Sequence, residues 1–220
     1  MRTAGVAAQE TLAPFHPDEG GYCGRAVGER SLTNPLLPPQ GDLPVLETAR
    51  LRMWPIERTD AKDVFGYTAD PAVLRYTTGS TPASVADIQA WLTRVLADPE
   101  THMWAICLRG TPTVVGAIEF GVPSPGVGSV HYALAHWLWG RGLMTEAVKA
   151  VCGWALDSVP EMSEIRTTVV VDNPASGRVL EKCGFERGDI IKEVWEKEKS
   201  PVTLVEYYLS REKATTWTTS

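Results

Sequence analysis

The run Trp139-Gly140-Arg141-Gly142-Leu143-Met144-Thr145-Glu146 narrows the possible folds more than any other part of the sequence. It falls between a strand-like segment at 129–135 and a helical one at 142–159. In the latter, Met144, Ala147, Val148, Val151, Cys152, Ala155 and Val159 recur at helical spacing before Pro160 stops it. Two glycines let the backbone turn tightly and approach a ligand with no side chain between. The first turn of the helix leaves unpaired N–H groups at the positive end of its dipole. A diphosphate suits that environment, with Arg141 offering a cation and Thr145 a hydroxyl. A plain strand-to-helix turn would use the same residues, so both readings stand at this level. A Walker loop does not fit, because Gly-Lys-Ser/Thr is missing at the needed spacing. The dinucleotide fingerprint fails too, since the position three beyond Gly142 is Thr145.

Residues 49–56 alternate around Leu51, Met53 and Trp54 and predict a first strand. A helix at 60–69 ends before Pro71. Another at 84–96 is capped by Ser84 with Asp87 three residues on, and Val85, Ile88, Trp91, Leu92, Val95 and Leu96 share one face. Strands at 103–108 and 113–120 flank a turn at Gly110-Thr111-Pro112. The Gly- and Pro-rich stretch 122–128 predicts a loop. The strand at 164–171, nearly continuous in apolar character at its end, predicts burial on both faces. A short helix at 173–183 has Asn173 as N-cap, Pro174 in its first turn and Gly184 as its stop. Phe185 opens a further strand region and 202–209 forms the last. The order β-α-α-β-β-β-α-β-α-β-β defines a mixed α/β (α+β) domain at 46–212. Residues 1–45, rich in Pro and Gly, predict a poorly structured extension or surface arm, and 213–220 a polar tail.

The 220 residues suit one domain, and 44% hydrophobic with 22% charged content is that of a globular protein. A formal net charge of −6 argues against a nucleic-acid partner and agrees with an amine-bearing substrate. Cys23, Cys107, Cys152 and Cys183 form no C-x-x-C pair and no metal-spaced set with histidine, which predicts reduced, buried thiols and no metal. No run of 18 apolar residues exists, and no basic-then-apolar leader opens the chain, so neither a membrane span nor a secretory signal is expected and the cytoplasm is the default.

The segment 129–146 resembles the cofactor motif of the GNAT superfamily, the Gcn5-related N-acetyltransferases. That motif is commonly Gln/Arg-x-x-Gly-x-Gly/Ala; here Trp139 stands at its first position and Met144 at its last. Both substitutions resemble the branch that acetylates the N-termini of ribosomal proteins. So do Asp172-Asn173-Pro174-Ala175-Ser176 and Val179-Leu180-Glu181-Lys182-Cys183-Gly184-Phe185, together with the opening Thr48-Ala49-Arg50-Leu51-Arg52 and the late Val205-Glu206-Tyr207-Tyr208-Leu209. The resemblance covers about residues 46–212. It implies a single domain with a mixed, mostly antiparallel sheet flanked by helices, whose splayed strands form an acyl-CoA cleft. It implies acetyl-CoA as cosubstrate, a primary amine as acceptor and a possible homodimer.

By that resemblance, Leu134, Ala135 and His136 present backbone to pantetheine. Trp139, Gly140, Arg141, Gly142, Leu143, Met144 and Thr145 hold the pyrophosphate, while Asn173 and Ser176 face the sulfur end. Asn173 serves equally as a helix cap, and Ser176 as a solvated first-turn residue. Attack of a neutral amine on a thioester needs a proton acceptor, an oxyanion donor and help for the departing thiolate. It needs no nucleophilic cysteine, and Cys183 reads as core. Many relatives carry a Glu where this chain has Ser129. Glu119, late in an apolar strand, is therefore the first candidate base and His131 the second. Glu146, in the helix's first turn, reads as structural. Trp54, Trp91, Trp104 and Trp154 read as core, whereas Trp137 and Trp139 flank the cofactor turn. Acceptors in view are a protein or peptide N-terminus, or a small amine such as an antibiotic, polyamine or amino acid. A non-catalytic acyl-CoA sensor is the third reading.

Overall fold

The computed structural model describes residues 37–99, 101–195, 198, 200–214 and 217. The strands are β1 (Leu46–Glu47), β2 (Leu51–Pro55), β3 (His102–Leu108), β4 (Val114–Ser124), β5 (Val127–Leu134), β6 (Glu164–Val170), β7 (Glu186–Trp195) and β8 (Ser200–Ser210). The helices are α1 (Ala61–Thr68), α2 (Pro71–Leu74), α3 (Val85–Val95), α4 (Leu143–Ser158), α5 (Pro174–Lys182) and α6 (Arg211–Ala214). The strands form one eight-stranded sheet in the order β1-β2-β3-β4-β5-β6-β8-β7. Neighbours are antiparallel except β5 and β6, which run parallel with α4 as their crossover.

Local chemistry explains the helix ends. The Ser84 hydroxyl accepts from the Asp87 N–H at 3.3 Å while the Asp87 carboxylate accepts from the Ser84 N–H at 2.9 Å, the reciprocal box its spacing predicts. Gly184 takes φ +81° and donates to the Glu181 carbonyl, and Phe185 donates to the Leu180 carbonyl, which closes the end of α5. At the far end of α4, Arg211 spreads its guanidinium over the carbonyls of Met162, Leu156 and Val159 at 2.7, 2.9 and 2.6 Å.

Every apolar residue that the helical spacing of α4 singles out is buried, from Met144 to Val159. Trp104 is fully buried, meets Trp154 edge-on at 5.1 Å between ring centroids, and donates its indole N–H to the Pro44 carbonyl at 2.9 Å. Trp54, Trp91 and Trp154 pack against the core while partly exposed.

Four sequence expectations change. The 122–128 loop is a hairpin: β4 continues to Ser124, and only Pro125 and Gly126 separate it from β5. β3 pairs β4 only as far as Phe120, so Pro123 sits on a free edge where its missing N–H costs no ladder bond. β6 is not covered on both faces. Ile165, Thr167 and Val169 are buried, but Arg166 is exposed and Thr168 and Val170 are half-buried. The folded body also begins before 46, because Leu37 and Leu43 are buried and the Gln40 amide bonds Met103 from both ends, at 2.7 and 2.8 Å. The tail beyond 212 likewise contributes Ala214, which is buried, and Trp217, which packs on the core. Residues 1–36 and Cys23 lie outside the described residues. Cys107, Cys152 and Cys183 are buried free thiols.

Candidate active site

β5 and β6 pair through only three positions, Val127↔Glu164, Gly128↔Ile165 and Ser129↔Arg166. Beyond them β5 continues on β4 and β6 continues on β8, so the two parallel strands part. The Thr167 hydroxyl, donating to the Val130 carbonyl at 2.8 Å, closes the base of the opening. Above it lies a cleft lined by Tyr76, His131, Tyr132, Thr168, Val170, Asn173 and Ser176 among others. Strand groups point alternately to the two edges. Ala135 donates to Val115 on β4 at 2.7 Å, which turns the peptide groups of Tyr132 and Leu134 toward the opening. Of the residues expected to meet pantetheine, Leu134 thus faces the gap with its N–H. Its carbonyl accepts the Trp139 indole at 2.7 Å, and the Ala135 N–H is spent on β4. The His136 ring packs at a tilt against Trp139, with ring centroids 4.5 Å apart, and lies 3.1 Å from the Asp70 carboxylate.

At the top of the opening, α4 begins. Gly140 and Gly142 take φ +74° and +75°, a left-handed conformation that disfavours any side chain. A Cβ at Gly140 would meet nothing within 4 Å, and one at Gly142 only an Arg50 nitrogen at 3.6 Å, so open space faces the turn. The first hydrogen bond of the helix runs from the Glu146 N–H to the Gly142 carbonyl, which leaves the N–H groups of Leu143, Met144 and Thr145 ahead of it. Arg141 is exposed beside them. Open space, three unpaired amides and a cation fit a diphosphate.

The turn is held by a clamp that sequence reasoning credited only in part. The Glu146 carboxylate accepts from the Thr48 hydroxyl, the Arg50 N–H at 2.8 Å and the Arg50 guanidinium at 2.7 Å, which also donates to the Arg141 carbonyl. Partial burial opposes the Glu146 charge, but the Thr48 and Arg50 hydrogen bonds outweigh it and hold the carboxyl below its ordinary range. Glu146 is structural, as its place in the first turn implies. The Thr-x-Arg spacing ahead of β2 was the available signal for its partners.

Asn173 caps α5 by accepting the Ser176 N–H at 3.2 Å, and both residues line the cleft. The cap role and the cleft position therefore coexist. The Ser176 hydroxyl lies 2.9 Å from the Tyr132 hydroxyl. Tyr132 was missed in the sequence, although strand alternation around Val130 and Ala133 would have marked it as a residue of the opposite face from His131.

His131 lines the cleft, whereas Glu119 stands one strand away, directly across from it in the β4–β5 register. Opposed antiparallel residues share a face with Cβ atoms about 5 Å apart. One Glu119 carboxylate oxygen is shut off from solvent. His131 keeps some accessible surface toward the cleft, yet protein surrounds the imidazole closely enough that burial pushes its pKa down to about 4. It is a neutral ring at neutral pH. Trp137 and Trp139 are exposed and lie outside the residues that line the cleft. Cys183 is fully buried and its thiol is pushed up to about 12 by burial, which suits packing and not nucleophilic attack.

A parallel pair splayed inside an otherwise antiparallel sheet, with a glycine turn and a helix N-terminus at its mouth, is the arrangement expected above of an acetyltransferase fold. The acetyltransferase (GNAT) domain model matches residues 50–186, and the chain belongs to that family. It is 25% identical over 169 residues to "Uncharacterized N-acetyltransferase p20" of Bacillus licheniformis, covering 74% of this chain and 93% of that protein. A GNAT-family acetyltransferase structure from Bacillus anthracis superposes with a TM-score of 0.69 at 20% identity, over 77% of this chain and 99% of that one. Aminoglycoside acetyltransferase AAC(6')-Ib in complex with coenzyme A gives 0.62 at 23% identity, over 77% and 99%. These structural likenesses show the fold. Among the described residues no group of His, Cys, Asp or Glu could hold a metal ion, and no helix is long and apolar enough to cross a membrane.

Proposed function

We propose that this acetyltransferase takes the acetyl group of acetyl-CoA and transfers it to the primary amine of a protein or peptide N-terminus, by direct attack in a ternary complex. The observation that carries the reading is the β5–β6 opening with the 140–145 turn at its mouth. The turn amides and Arg141 suit the diphosphate, the gap-facing edge of β5 suits the pantetheine amides, and Ser176 suits the sulfur. In this reading the amine enters beside Tyr76. A groove of about 590 Å³ is lined by Arg75, the 79–81 segment and Glu198, and Arg75 adjoins Tyr76 of the cleft wall. Among the described residues this groove has one guanidinium and one carboxylate. That balance suits a peptide better than a polycation, whose several ammonium groups call for several carboxylates. The resemblance to the ribosomal-protein branch agrees with it.

In this reading the amine loses a proton toward the His131–Glu119 side of the cleft. His131 accepts a hydrogen bond as a neutral ring, and Glu119 takes the proton through water before releasing it to solvent. The amine nitrogen bonds the thioester carbon, the oxyanion is held by a backbone N–H of the gap-facing edge, and the C–S bond breaks with its electrons on sulfur.

The test is calorimetric titration with acetyl-CoA of the wild type, Gly142→Glu and Gly142→Ala. Binding near micromolar, about −8 kcal/mol, lost in Gly142→Glu and kept in Gly142→Ala supports the cofactor site, because the alanine variant carries the backbone strain without the charge. Absence of wild-type binding refutes it. A panel of peptides with different N-termini, run beside aminoglycosides, then decides the acceptor. Turnover of aminoglycosides alone would overturn the peptide reading.

A further inference from the structure

The hydroxyl pair Tyr132–Ser176 bridges the opening between the parted strands. Tyr132 lies on β5 three residues beyond the last β5–β6 pair, and Ser176 is the third residue of α5, the helix that follows β6. The phenol oxygen sits 2.9 Å from the Ser176 hydroxyl and 3.3 Å from the Ser176 carbonyl. Both side chains are half-buried on the cleft wall. A phenol has one proton to give. If it goes to the carbonyl, the serine proton must point back at the phenol. If it goes to the serine oxygen, the shorter contact, the serine proton is turned into the cleft.

We propose that Tyr132 is a positioning residue that directs the Ser176 hydroxyl proton at the sulfur of the bound coenzyme. The inference rests on the reading above, that Ser176 faces that sulfur. When the amine nitrogen bonds the carbonyl carbon and the C–S bond breaks, the electron pair passes to sulfur. The Ser176 O–H then donates to the thiolate while the Tyr132 O–H donates to the serine oxygen. Each donor in such a chain polarises the next. Neither residue gives up its proton. The proton removed from the amine ends on sulfur through solvent, so the products are amide and thiol.

The experiment needs no acceptor. The ultraviolet absorption of the thiolate of enzyme-bound coenzyme A is followed against pH in wild type, Tyr132→Phe and Ser176→Ala, with acetyl-CoA affinity and melting temperature measured on each. The expected result is a bound thiol that ionises more readily than free coenzyme A. Both variants should lose about tenfold of that preference while acetyl-CoA affinity stays within about twofold, because an altered cleft shape would move the affinity as well. Tyr132→Phe titrating like the wild type while Ser176→Ala shifts would overturn the role of Tyr132 alone. Ser176→Ala titrating like the wild type would overturn the placement of Ser176 at sulfur, and the proposal with it. Coenzyme A failing to bind the wild type would remove the cofactor site itself.

Discussion

Acidification should expose how tightly the cleft closes around His131. The folded protein holds this imidazole at about pKa 4, against 6.5 in an open chain, because burial penalises its charge. Above pH 6.5 both states carry a neutral ring and nothing is lost. Between 6.5 and 4 the unfolded chain binds a proton that the folded chain refuses, so stability falls as pH falls through that window and the penalty is complete near pH 4. At about 1.4 kcal/mol for each tenfold change in proton affinity, the full penalty is about 3 kcal/mol. The ring retains some accessible surface, which makes that figure a ceiling. Other groups also titrate here, so the informative quantity is a difference between proteins. Urea unfolding of wild type and His131→Gln at about pH 7 and about pH 4.5 isolates it, with the variant expected to lose about 2 kcal/mol less than the wild type on acidification. Equal losses in the two proteins would refute the idea that this histidine is desolvated. The neutral ring would then no longer be a property of the cleft.

Gly142→Ala places a Cβ on backbone at φ +75° with no steric collision, so it should cost about 1–2 kcal/mol of backbone strain and lower the melting temperature of the free protein. An unchanged melting temperature would mean the turn relaxes. Arg211→Ala removes three hydrogen bonds from carbonyls at and beyond the end of α4. A loss of about 2–3 kcal/mol is expected, with faster amide exchange at the α4 C-terminus and little change in acetyl-CoA affinity. Slow exchange retained there would show that other groups satisfy those carbonyls.

The local signals were legible because their causes are local. Ser84 with Asp87, Asn173 with Pro174, Gly184 and the glycine pair 140/142 each act within a turn or two of backbone, and the structure has them capping, stopping and turning where the residue types imply. The helical face of α4 was legible for the same reason, since burial repeats with the period of the helix. The 122–128 stretch was misread because a partner strand, not local propensity, decides whether Pro123 can lie in a sheet.

What the sequence by itself determined is the order of elements, the core face of each helix, the anion-compatible turn and the family resemblance that ties them together. What only the tertiary structure decided is which side chains meet. Register sets Glu119 against His131 from different strands, and the parting of β5 from β6 brings Tyr132 within hydrogen-bond reach of Ser176, 44 residues on. Pairings of that kind depend on strand order and register across the whole sheet. A reading confined to neighbours along the chain has no term for them.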